Sequence, residues 1–158
     1  MRLSGKVSSG LGRASVFMSQ SHYQDQFRKI LGATAWPGTL NVQVENNDLS
    51  NYIALRQKAG IDTLDLDGEF INKVSKIDTS TIESVRIRGF LREGRSFGGA
   101  TAYLAKISAS ESINISCAIL IPDLTRHVEV IEVIADVFLR ESLDLKDGSV
   151  VHLDLTIG

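Results

Sequence analysis

The tightest constraint on the fold is a series of short β-type runs, each cut off within about ten residues by glycine or by a polar cluster. Residues 3 to 8, 39 to 44, 84 to 90, 100 to 107, 113 to 121, 128 to 134 and 150 to 155 are rich in Val, Ile, Leu, Thr and Phe, with alternating or nearly continuous apolar character. Glu93-Gly94, the polar stretch 108 to 112 and Lys146-Asp147-Gly148 supply turn chemistry between them. So many short strands must bury their apolar faces together, and a closed or nearly closed β-barrel with helical insertions does this while removing exposed edges.

Two helices are predicted within this frame. Tyr23, Phe27, Ile30 and Leu31 recur at i, i+4, i+7 and i+8, with Ser19 or Ser21 as caps and Gly32 as terminator. Residues 48 to 59 place Leu49, Tyr52, Ile53 and Arg56 on one face, and Gly60 ends the run. Residues 15 to 19 read as a short strand, residues 137 to 143 as one or two helical turns, and 60 to 81 as a weakly patterned polar segment.

Bulk properties narrow the function classes. A chain of 158 residues with 43% hydrophobic side chains suffices for one substantial core, so a single domain over 1–158 is expected. Seventeen Lys and Arg against 19 Asp and Glu, with pI near 5.9, argue against a global attraction to nucleic acid or anionic membrane. Cys117 is the only cysteine; its apolar flanks predict a buried thiol, and no intramolecular disulfide can form. Without a signal-peptide pattern or a long apolar run, a soluble cytoplasmic protein is expected.

Several motifs carry candidate chemistry. Gly10-Leu11-Gly12 lacks the third glycine and following helix of a dinucleotide fingerprint, and no Walker A Gly-Lys-Ser/Thr occurs. The glycine pair is either a turn between strands or backbone N–H groups open to phosphate oxygens. Residues 63 to 68 fail as a calcium loop, because the twelfth position is Val74 rather than a bidentate Glu. Thr39 and Asn41, two apart in Pro37-Gly38-Thr39-Leu40-Asn41, face the same side of a strand. They are either turn formers or two neutral oxygen donors suited to a magnesium ion whose charge is met by phosphates.

Glu132 shares strand parity with Val130 and Ile134. A carboxylate on so apolar a face needs partners or a raised pKa. It is either a site residue or one half of an ion pair with Arg140 or Arg126. Arg86, Arg88, Arg92 and Arg95 form a solvated basic hairpin or an anion-binding patch. His22 and His127 have no metal-ligand spacing.

In order along the chain, Gly5-Lys6-Val7-Ser8-Ser9-Gly10-Leu11-Gly12, Pro37-Gly38-Thr39-Leu40-Asn41, Phe97-Gly98-Gly99, Pro122-Asp123-Leu124-Thr125-Arg126-His127, Val130-Ile131-Glu132-Val133-Ile134-Ala135, Leu139-Arg140-Glu141-Ser142-Leu143 and Leu145-Lys146-Asp147-Gly148 resemble the archaeal CTP-dependent riboflavin kinases. The resemblance implies a mainly β fold, a six-stranded cradle-loop barrel, with an atypical insertion around residues 46–84. It implies transfer of the γ-phosphoryl of CTP to the 5′-hydroxyl of riboflavin, giving FMN and CDP, with Mg²⁺ as cofactor. Thr39 and Asn41 are then the metal ligands. Leu11, Gly12, Arg13, Ala14, Ser15 and Val16 wrap the nucleotide, Val137, Phe138, Leu139 and Arg140 complete its site, and Thr125 and Glu132 meet the flavin. Glu132 is also the candidate general base.

The family pattern after Gly12 has Glu, Gly, Arg and an aromatic where this chain has Arg13, Ala14, Ser15 and Val16, which bears on the choice of donor. Alternatives are a flavin kinase with another donor, or a non-catalytic flavin or nucleotide sensor. Some relatives carry an amino-terminal DNA-binding domain, and none is expected here. A monomer is the working assumption.

Overall fold

The computed structural model describes residues 1–10, 14–61, 63, 66–110, 113–125 and 128–156, and the side chains of Ser15, Val16 and Ser110 fall outside that description. Among the described residues nine strands run β1 (Arg2–Ser8), β2 (Leu40–Val44), β3 (Ser84–Ile87), β4 (Phe90–Arg92), β5 (Arg95–Phe97), β6 (Ala100–Ser110), β7 (Ile113–Pro122), β8 (Val130–Ile134) and β9 (Val150–Leu155). The helices are α1 (Ala14–Met18), α2 (Ser21–Leu31), α3 (Leu49–Lys58), α4 (Gly68–Ser75) and α5 (Leu139–Ser142), with a 3₁₀ turn at Asn46–Asp48.

Six strands close an antiparallel barrel in the order β6-β7-β8-β2-β1-β9, and β9 pairs back onto β6. The predicted barrel is therefore present, and it is closed. Alternation decides what lies inside. Leu40, Val42 and Val44 of β2, Ile131 and Val133 of β8, and Val151, Leu153 and Leu155 of β9 join one core cluster. Each such side chain contributes roughly 1.5–3 kcal/mol on burial. Cys117 lies in this core, fully buried, and burial pushes its thiol up to about 12, as expected of a packing residue rather than a reactive one.

A second cluster forms on the outside of the wall. Tyr23 and Phe27 of α2 and Met18 of α1 pack over Ala100, Ala102, Ala118, Leu120 and Ile134, where alanines let the helices approach closely. Here the structure corrects a prediction: residues 14 to 18 are helical, not extended. Ala14 and Met18 stand one helical turn apart and both pack on this cluster, so a single turn of helix already gives them a shared face. The cap of α2 is Gln20, without a side-chain cap bond, rather than Ser19 or Ser21. Gly32 ends the helix as predicted, in the left-handed conformation.

The predicted strand 84 to 90 is broken. β3 pairs with β6 and ends at Ile87, whereas Phe90 opens the separate hairpin β4–β5. Glu93 (φ 51°) and Gly94 (φ 74°) make its turn, the positive φ values that match strand twist in two-residue hairpins. Arg86 of the basic group is forked onto Asp123, and Arg92 donates to Gln20.

Within residues 46–84, α3 forms where predicted, but it buries Ser50, Ala54 and Leu55 as well as Tyr52, Ile53 and Arg56, so it is enclosed on more than the one predicted face. Tyr103 Oη donates to the Leu55 carbonyl at 2.8 Å and Tyr52 Oη to the Val130 carbonyl at 3.1 Å, which ties this helix to the barrel. The stretch read as polar and unpatterned contains α4, capped by Asp67 Oδ1 accepting from the Phe70 N–H at 2.7 Å. Leu66, Phe70, Val74 and Ile77 pack with Ile53 and Ala54 of α3. Among the described residues no helix is long and apolar enough to cross a membrane.

Candidate functional site

A cavity of about 810 Å³ lies against β2 and β8 and the connections around them. Because Leu40 and Val42 point into the barrel, Asn41 points out. Register then places Asn41 between two neighbours on adjacent strands, Ser8 of β1 and Glu132 of β8. Thr39, just ahead of β2, donates from Oγ1 to Asn41 Oδ1 at 3.2 Å. Thr39, Asn41 and Glu132 all line the cavity, so two residues read from local spacing and one read some 90 positions away converge on one place.

Gly10 also lines the cavity, and a Cβ there would run into the Asn41 side-chain amide. Glycine at this point lets the segment after β1 close over Asn41. The donor set fits a magnesium ion: two neutral oxygens within hydrogen-bonding distance of each other, with one carboxylate opposite and room for phosphate oxygens and water. Among the described residues no group of three or more His, Cys, Asp or Glu could hold a metal ion, so any cation here relies on such mixed donors.

Glu132 is half-buried and lies opposite Leu120 of β7 as well as Asn41. Behind it, Tyr52 is pushed up to about 12, first by burial, with Arg56 acting against the rise and the Glu132 charge adding to it. Arg140, one partner considered for Glu132, instead donates to Asp147 at 2.8 Å and to the Ser8 carbonyl at 3.3 Å. Asp147 also accepts from Ser9 Oγ at 2.6 Å, and those two donors, Ser9 first, hold its carboxyl below the usual range. Arg126 and His127 lie outside the described residues.

Val137, Phe138, Leu139 and Arg140 all line the cavity, as does Ala14. Leu11, Gly12 and Arg13 lie outside the described residues; Ser15 and Val16 are placed only as backbone of α1. Thr125 sits in the turn after β7, its N–H donating to the Pro122 carbonyl at 3.1 Å, and is not among the lining residues. Sequence reasoning missed Trp36, Ser8 and Ser9, which also line the cavity. Trp36 had one local signal, its place directly before Pro37-Gly38.

Fold and cavity together define a closed antiparallel barrel with a ligand-sized cleft of mixed polar and apolar lining. The chain belongs to the CTP-dependent riboflavin kinase family, described as a domain of unknown function, DUF120, whose profile matches residues 7–69 and 60–155. Similar proteins include riboflavin kinases of Pyrobaculum aerophilum (33% identical over 99% of this chain and 61% of the relative), Thermoplasma acidophilum (31%, over 97% and 56%) and Methanocorpusculum labreanum (37%, over 94% and 54%). The chain thus spans little more than half the length of these relatives.

Proposed function

We propose that this chain is a riboflavin kinase that moves the γ-phosphoryl of CTP to the 5′-hydroxyl of riboflavin, releasing FMN and CDP. The observation that carries this reading is the meeting of Thr39, Asn41 and Glu132 on one cleft, together with family membership. Phosphoryl transfer passes through a loose transition state, so the protein's work is alignment and charge stabilisation.

Thr39 and Asn41 would hold Mg²⁺, which would supply positive charge to the phosphate oxygens. Glu132 orients the ribityl hydroxyl and accepts its proton as the hydroxyl oxygen bonds to the γ-phosphorus and the bond to the β–γ bridging oxygen breaks. The residues at 11 to 16 and 137 to 140 hold the nucleotide, with Arg140 steadied by Asp147. Thr125 meets the flavin from beside Glu132's strand.

The test is incubation of the purified chain with riboflavin, Mg²⁺ and each nucleoside triphosphate in turn. FMN with CTP is the expected result. FMN with ATP alone would make this a flavin kinase with a changed donor, the outcome that Arg13 to Val16 would then explain. Binding of either ligand without FMN from any donor would make it a sensor.

A further inference from the structure

None of the roles above uses Trp36, or the ring of Phe138 as its stacking partner. Trp36 is the chain's single tryptophan and is 47% exposed, Phe138 is 40% exposed, and their rings stack with centroids 5.1 Å apart and 20° between planes. Both line the same cavity as Thr39 and Asn41. Large aromatic faces left in water beside polar groups are well suited to a ligand with one planar apolar part and one charged part.

The pair is held from its backbone. The Trp36 N–H donates to the Ala135 carbonyl at 2.8 Å, joining the connection before β2 to the one after β8, and Pro37 restricts the chain directly afterwards. Thr39 follows Trp36 by three residues, so their Cα atoms are at most about 11 Å apart at full extension. That reach suits a molecule whose ring rests on the pair while its phosphates reach the metal donors.

We propose that the Trp36–Phe138 stack is the platform for the donor's base, with Trp36 a nucleotide-binding residue of this cleft. The proposal rests on the kinase reading and deepens it. Stacking engages the π face that every base presents, so it supplies affinity without reading the base edge. Trp36 therefore sets how tightly nucleotides are held, and the choice among bases falls to polar neighbours.

Calorimetric titration of the wild type, Trp36→Leu and Trp36→Phe with CDP, UDP and riboflavin, each with Mg²⁺, tests this. Trp36→Leu is expected to weaken CDP and UDP alike by on the order of tenfold, Trp36→Phe to restore most of the loss, and riboflavin affinity to stay unchanged. Tryptophan emission of the wild type should shift with CDP but not with inorganic tripolyphosphate. Unchanged CDP affinity in Trp36→Leu, no CDP binding by the wild type, weakened riboflavin binding instead, or an equal response to tripolyphosphate each overturns the platform. Matched melting temperatures check that the variants fold. Binding is read without turnover: Trp36-dependent CDP binding with no FMN from any donor sinks only the kinase reading, and FMN formation with Trp36-independent CDP binding sinks only the platform.

Discussion

The cleft has two walls of different construction. On one side, Asn41 and Glu132 stand on β2 and β8, opposite each other in a hydrogen-bonded ladder with Ser8 on the next strand. On the other, Trp36 and Phe138 stand on connections and Arg140 on the single turn of α5, held by a few tethers such as Trp36 N–H to Ala135 and Arg140 to Asp147 and the Ser8 carbonyl. A ladder fixes side-chain spacing through many backbone bonds that must break together, while a tether fixes one atom. In the proposed reaction the ladder wall carries the chemistry, which tolerates little displacement, and the tethered wall grips the donor, which tolerates more.

That division predicts how variants rank. Glu132→Gln should have the largest effect, lowering turnover by about 10²–10⁴-fold while CDP still binds; steady-state rates beside CDP titration check it, and unchanged turnover would remove Glu132 from the mechanism. Asn41→Leu takes away one of the two proposed metal donors. The Mg²⁺ concentration for half-maximal rate is expected to rise about tenfold, equivalent to about 1.4 kcal/mol, and an unaltered Mg²⁺ dependence would separate Asn41 from the metal.

Gly10→Ala pushes a methyl group into the Asn41 amide and should move the Mg²⁺ dependence in the same direction by a smaller factor. If it affects only the KM for riboflavin, the metal is not what Asn41 serves. Asp147→Asn loosens only a tether, so the expected change is a modest rise in the KM for CTP with kcat preserved. Because the Asp147 carboxyl is held below its usual range, its ionised form, and with it the tether, persists as pH falls through the ordinary carboxylate range and is lost only beneath it. The difference in KM for CTP between wild type and Asp147→Asn should therefore persist to that lower pH, and a fall in kcat in Asp147→Asn would show that the two walls are not separable.

Local signals explain which parts of the fold were legible. α2 and α3 follow from helical spacing closed by Gly32 and Gly60, and the β4–β5 hairpin from Glu93-Gly94. Five residues at α1 are too few for a helical period to stand out from a strand period, and only packing on Ala118 and Leu120 made them helical. In α4 the start signal, Asp67-Gly68, resembled part of a cation loop, and its apolar face becomes meaningful only against α3. The break at Gly89 reflects a close approach to the Phe97 carbonyl that no local pattern announces.

The sequence by itself determined that Thr39 and Asn41 share a face, and that Glu132 shares one with Val130 and Ile134, because side-chain alternation along a strand is a property of a few neighbouring residues. Only the tertiary structure decided that these two faces meet, with Asn41 opposite Glu132 and the Trp36–Phe138 stack beside them. Register between strands 90 residues apart is fixed by closure of the barrel around its shared core, where a slip of one residue would turn Ile131 and Val133 outward and Glu132 inward.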